Sequence, residues 1–146
     1  MKVKHFLSAL EHQRIHQAIQ SAEEGSSGRI VVYISHRNVA DPLAAAHHAF
    51  RKLKLETDTD DTDKNNLLIF VAPKTRKIAV VGGTALHEKI GQTWWDDLIA
   101  LLTRHFKEGR YTDGLVDALQ HAGQTLKSHF PSGTPHRHAR QDIVEE

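Results

Sequence analysis

Four aspartates, Asp58, Asp60, Asp61 and Asp63, crowd one stretch of the chain. Carboxylate oxygens at that density are the ligand type of a hard divalent cation such as calcium or magnesium. They do not form an EF-hand loop. Asp58-x-Asp60 is followed by Asp61, no glycine falls at the sixth position, and Lys64 replaces a ligand-like residue. A solvated acidic loop has the same composition. Further on, Gly82-Gly83-Thr84 precedes a helical segment, where amide N–H groups can cradle an anion. It lacks the G-x-x-x-x-G-K-[ST] pattern of a P-loop, and a strand-to-helix turn capped by Thr84 fits equally. His87 and Glu88 come next, and either can act as a general base or a ligand, or simply face solvent. His12 and His16, four apart, have no HExxH pattern around them, and His136 and His138 are similar surface candidates. The chain has no Gly-x-Ser-x-Gly elbow, which argues against a serine hydrolase. It has no cysteine, which excludes disulfides, thiolate zinc sites and cysteine nucleophiles.

The elements that must position these residues are legible in outline. Ser8 followed by Glu11 forms a capping box for a first helix, with Ile15, Ala18, Ile19 and Ala22 at helical spacing. Gly25-Ser26-Ser27-Gly28 ends it. Ile30 to Ile34 is a β-branched and aromatic run without alternation, the pattern of a strand covered on both faces. Asp41 caps and Pro42 opens a second helix. Glu56 to Asn66 is the polar loop that carries the aspartates. Leu67 to Ala72 is a second buried strand, Pro73 to Arg76 a tight turn, and Lys77 to Val81 a third strand returning antiparallel. A short helix runs from the glycine turn to Gly91. A further helix is capped by Thr93, carries Trp94, Leu98, Leu101 and Leu102 on one side, and stops at Gly109. The last is capped by Thr112 or Asp113 and ends at Pro131. The adjacent Trp94 and Trp95 point about 100° apart on a helix. One must face the core, and the other is a candidate contact surface.

The long helical crossover makes the first two strands parallel, with right-handed connection as the default. The expected fold is a three-layer α/β/α sandwich with a small mixed sheet, a parallel pair plus a hairpin, flanked by helices. This topology brings together the start of strand one (Gly28, Arg29), the start of strand two (Asp63 to Asn66) and the end of strand three (Gly82, Gly83, Thr84).

Length and composition bound the rest. At 146 residues the chain fits one domain, expected over 1–131, with a polar Pro/Gly/His-containing segment, 132–146, as a mobile tail. Nineteen Lys and Arg balance eighteen Asp and Glu, which argues against broad capture of nucleic acid. No apolar run reaches the roughly 20 residues of a membrane helix, and no leader-like h-region follows the N-terminus. A cytoplasmic monomer is the expectation.

Taken in order, several blocks of the sequence resemble the TPM domain family, linked to photosystem II repair in plants and widespread in bacteria. They are Ser27-Gly28-Arg29-Ile30, Asn66 to Ala72, Gly82 to Gln92, Trp94-Trp95-Asp96 and His105 to Leu115. The resemblance spans Phe6 to Pro131. It implies the α/β/α sandwich, acid phosphatase activity in some members, and binding of divalent cations, calcium among them, in others. This chain resembles the short, unanchored bacterial type. It departs at two positions: the family usually has Glu where Arg29 stands and Asp where Gly83 stands. A guanidinium beside a cation costs several kcal/mol at about 4 Å in a medium of effective ε near 20, so Arg29 and Gly83 weaken a metal there, unless the four aspartates compensate; alternatively they answer Arg29 with a salt bridge.

Two functions follow. In the first, a divalent-metal-dependent phosphatase-like hydrolase, the aspartates hold the ion and Arg29 clamps the phosphate of a small phosphomonoester. In the second, a non-catalytic module acts in complex assembly or quality control, through a protein partner and a surface near Trp95.

Overall fold

The computed structural model describes residues 9–26, 28–53, 66–131 and 143–146. Two strands, β1 (Ile30–Ile34) and β2 (Leu67–Ala72), are buried at every position. They pair in parallel from Ile30↔Leu67 to Ile34↔Val71, as continuous apolar runs do when both faces are covered. β3 (Lys77–Gly82) returns antiparallel to β2, with Leu67 opposite Gly82. Alternate side chains go to opposite faces. Ile30, Val32, Ile34, Leu67, Ile69 and Val71 join one core cluster, with α1 (Ala9–Glu23), α4 (Gln92–Lys107) and α5 (Tyr111–His129). Val31, Tyr33, Leu68, Phe70 and Ala72 join another, against α2 (Pro42–Lys52). The result is the expected helix–sheet–helix sandwich.

The helix ends are where sequence reading and structure part. Asp41 caps α2 as expected, accepting from the Ala44 amide at 3.1 Å, with Pro42 in the first turn. α3 (Thr84–Lys89) starts after Gly83, not on a Thr84 cap, and α4 starts after Gly91, with no side-chain cap from Thr93. α5 starts after Arg110. Thr112 and Asp113 are engaged elsewhere: the Thr112 hydroxyl donates to Glu11, and Asp113 pairs with Arg14 at 3.1 Å. Both bonds tie α5 to α1, so these polar side chains serve helix packing instead of capping. Gly123 allows the same two helices to close, since a Cβ there would sit 2.7 Å from Ala22 Cα. Ser8, the other half of the expected capping box, lies outside the described residues.

The two tryptophans differ in burial. Trp95 is buried, alongside Leu98 and Leu102. Trp94 is half-buried, and its indole N–H donates to Thr125 Oγ1 at 2.9 Å. The two rings meet edge to face at 4.9 Å. Trp95 is thus the member of the pair that faces the core.

A fourth strand, β4 (Ile143–Glu145), pairs in parallel with β1 from Val32↔Ile143 and sets the sheet order β3-β2-β1-β4. The sequence reading placed these residues in a mobile tail. The edge of β1 explains the difference, because it would otherwise present unpaired amides and carbonyls. Backbone bonds run from Glu146 N–H to Ile34 O (3.0 Å) and from His36 N–H to Glu146 O (2.8 Å). Glu145 adds side-chain bonds to His12 (3.2 Å) and His36 (2.7 Å). The remainder of that segment, 132–142, lies outside the described residues.

Candidate functional site

The start of β1, the start of β2 and the end of β3 do meet at one end of the sheet. Asn66 is the junction. Its Oδ1 accepts the Arg29 amide at 2.9 Å, and its main-chain oxygen accepts the Gly83 amide at 2.9 Å. The Leu67 amide in turn donates to the Arg29 carbonyl at 2.8 Å. Arg29, Asn66 and Gly83 are thus locked in one hydrogen-bonded cross-section. Arg29 is 5% exposed, so a guanidinium is carried into the protein at this end. Side chains of that type are almost never buried without compensation.

The glycines have packing duties here. A Cβ on Gly82 would fall 2.7 Å from Trp95 Cη2 and 2.8 Å from Leu86 Cδ1, so this position admits only hydrogen. The Gly83 amide is taken by Asn66, and the Gly83 carbonyl accepts from Leu86 and His87. His87 is exposed and stacks on Trp95, ring centroids 4.6 Å apart and 17° from parallel. One indole therefore fills the space above Gly82 and carries the imidazole. Thr84 and Glu88 are exposed on α3. Asp58, Asp60, Asp61 and Asp63 lie outside the described residues, in the segment that leads directly into Asn66.

Two side chains hold this junction together in ways the sequence does not announce. Glu23, at the end of α1, is buried, and its Oε2 accepts the Ile30 amide at 2.7 Å. Asn66 closes the polar loop in the sequence and belongs to the converging start of strand two, but its hydrogen bonds to Arg29 and Gly83 are not legible there. A signal existed for Glu23: an acid in the last turn of a helix opposes the helix dipole, so it is worth asking what else holds it. Ser26 Oγ completes the α1–β1 turn by accepting the Gly28 amide at 3.0 Å.

A divalent cation fits the described part of this end poorly. At the strand junction the side chains are a cation, Arg29, and a neutral amide, Asn66, whose oxygen is already engaged; the nearby Glu23 carboxylate holds a backbone amide, and His87 and Glu88 are exposed on α3. No three His, Asp or Glu side chains gather into a metal-binding group among the described residues.

The other end of the sheet has different electrostatics. The Tyr33 hydroxyl bonds the Glu146 carboxylate, which holds that carboxyl below its usual range, with help from Lys52. Burial, and secondarily Glu146, push the Tyr33 hydroxyl well above the ordinary tyrosine value.

The class defined by this architecture is an α/β/α sandwich with the sheet order above. The family model of the TPM domain matches residues 2–125, and the chain belongs to the TPM domain family. Among solved structures, it is similar to the BA42 protein of the psychrophilic bacterium Bizionia argentinensis, with 28% identity, a TM-score of 0.87, and 99% of each chain covered. It shares the fold with the N-terminal domain of a protein from P. gingivalis (16% identity, TM-score 0.67, 92% of this chain and 83% of that one). The same holds for the N-terminal domain of the cg2496 protein from Corynebacterium glutamicum (14%, 0.64, 92% and 83%). No curated protein matches the sequence. No helix among the described residues is long and apolar enough to cross a membrane.

Proposed function

We infer that this chain is a non-catalytic TPM domain, a binding module for protein-complex assembly or quality control. In this reading Arg29 supplies internally the positive charge that a divalent cation supplies in metal-binding relatives. The supporting observation is the burial of Arg29 at the meeting point of β1, β2 and β3. A buried cation is stable only when opposite charge answers it, and in the sequence Asp58, Asp60, Asp61 and Asp63 shortly precede Asn66, the partner of the Arg29 amide. A guanidinium already in place repels a second cation.

The test is a thermal-shift titration with calcium, magnesium and manganese. The wild-type chain is expected to give a flat response into the millimolar range. The double variant Arg29→Glu, Gly83→Asp replaces the cation by the acids usual in the family. Gly83 has ordinary extended backbone angles (φ −67°, ψ 168°) at the helix N-cap, where Asp is well tolerated. That variant is expected to gain a saturable rise in Tm, as binding to the native state requires. A saturable rise in the wild type would overturn the inference. It would return the chain to the phosphatase reading, to be checked by hydrolysis of a small phosphomonoester on the same ion.

A further inference from the structure

A groove of about 630 Å³ opens at the opposite end of the sheet, where β2 ends and β3 begins. Small-molecule sites occupy about 300–1,000 Å³. The floor is apolar: Val71 and Ile78 from the hairpin, Ile99 and Phe106 from α4, and Tyr111 from α5. Phe106 and Tyr111 meet edge to face at 5.1 Å. All but Val71 are only partly buried, so the floor keeps a face toward solvent.

The rim is cationic. Arg76 and Lys77 come from the hairpin and Lys107 from the last position of α4, and all three are exposed. Among the described residues no acidic residue lines the groove, and no carboxylate pairs with any of the three. Arg76 has a φ of 55°, the left-handed region that glycine occupies most cheaply. The chain thus carries a cation at a backbone position where a side chain is a burden.

We propose that this groove binds a small organic anion. The ligand has an apolar body of one or two rings that lies on the floor, and a carboxylate or phosphate held by Arg76, Lys77 and Lys107. Charge complementarity requires the anion. The floor requires the apolar body, since a bare inorganic ion would leave Ile78, Ile99 and Phe106 in water. Bidentate pairing suits Arg76 to an oxyanion, while the two lysines act as point charges.

The experiment is an amide-resolved NMR titration of the full chain with phenylbutyrate and with its neutral counterpart, phenylbutanol. Phenylbutyrate is expected to saturate with a Kd of about a millimolar, as its size allows. Its shifts are expected at Val71, Arg76, Ile78, Phe106 and Tyr111. The alcohol should bind about tenfold more weakly for want of charge-assisted hydrogen bonds. Arg76→Gly, which removes the unfavourable φ, and Lys107→Ala should each weaken the acid by about three- to tenfold and leave the alcohol unchanged. Equal binding of acid and alcohol, shifts centred elsewhere, or failure to saturate would overturn the proposal. So would inorganic phosphate binding as tightly as phenylbutyrate. Tighter binding of a short peptide through its free C-terminus would replace the small-molecule class by a polypeptide one.

Discussion

The two ends of the sheet are built from similar materials and have opposite availability. At the amino end of β1 and β2, Arg29, Asn66, Gly83 and Glu23 are buried, and Asn66 and Glu23 accept the amides of Arg29, Gly83 and Ile30. At the carboxyl end, Arg76, Lys77 and Lys107 ring an open apolar floor with no acid among them. Open α/β sheets bind ligands outside the carboxyl ends of their parallel strands, and the groove obeys that rule. Convergence of polar residues shows where a chain has concentrated its hydrogen bonding. It does not show that the groups are free to bind anything.

The contrast predicts that substitutions at the amino end act on stability and those at the carboxyl end on binding. The largest effect is expected from Asn66→Ala. It removes the acceptor of the buried Arg29 amide and opens the junction between β1, β2 and β3. A buried donor left unsatisfied costs about 1–3 kcal/mol, which for a chain of this length lowers Tm by roughly 3–10 °C. Thermal unfolding followed by circular dichroism measures it. Phenylbutyrate binding should survive in the folded variant. If Asn66→Ala leaves Tm unchanged, the amino end is not the structural joint described here.

This division also explains what the sequence could reveal. The buried strands were legible because Ile30 to Ile34 and Leu67 to Ala72 are continuous β-branched and apolar runs, and topology alone then placed Arg29 beside Asn66 and Gly83. Helix caps were less legible. Thr84, Thr93, Thr112 and Asp113 are all good cap types, yet Gly83, Gly91 and Arg110 hold those positions. Propensity speaks of the local helix, whereas Thr112 is claimed by Glu11, roughly a hundred residues away. The groove was invisible for the same reason. Arg76 and Lys107 are ordinary turn and helix-end residues in sequence, and only the fold sets them around Ile99 and Phe106. β4 is three residues long, too short for any periodicity to mark it.

A smaller effect of opposite sign is expected at the carboxyl end. Arg76→Gly should stabilise the fold by up to about 1 kcal/mol, because glycine adopts positive φ without the steric cost an arginine bears. The gain is reduced by the greater freedom glycine gives the unfolded chain. Denaturant unfolding measures it as a rise in midpoint at constant slope. The same substitution weakens anion binding. A variant that is both more stable and a poorer binder is what a functional cation at a strained position produces. A loss of stability would show that Arg76 has a structural role, and the contrast between the two ends would fail.

The smallest effect concerns pH and again distinguishes the ends. Glu146 holds β4 at the carboxyl end of β1, and the Tyr33 hydroxyl keeps its carboxyl below the usual range. In the unfolded chain that carboxyl titrates normally. As pH falls, the unfolded state takes up its proton first, so the stabilisation is complete above the ordinary carboxylate value and is lost as pH drops through the lowered folded one. Lys52, 3.4 Å from Glu146, adds only an exposed pair, which salt screens. Hydrogen exchange at Val144 and Glu146, whose amides report docking of β4, should therefore quicken in mild acid relative to amides at the Asn66 junction. Glu146→Gln should flatten that dependence, because a neutral amide cannot be protonated in this range yet still accepts the Tyr33 hydroxyl. If the exchange of β4 and of the junction respond to acid in step, with or without Glu146, the strand is an integral part of the sheet and the carboxyl end is as closed as the amino end.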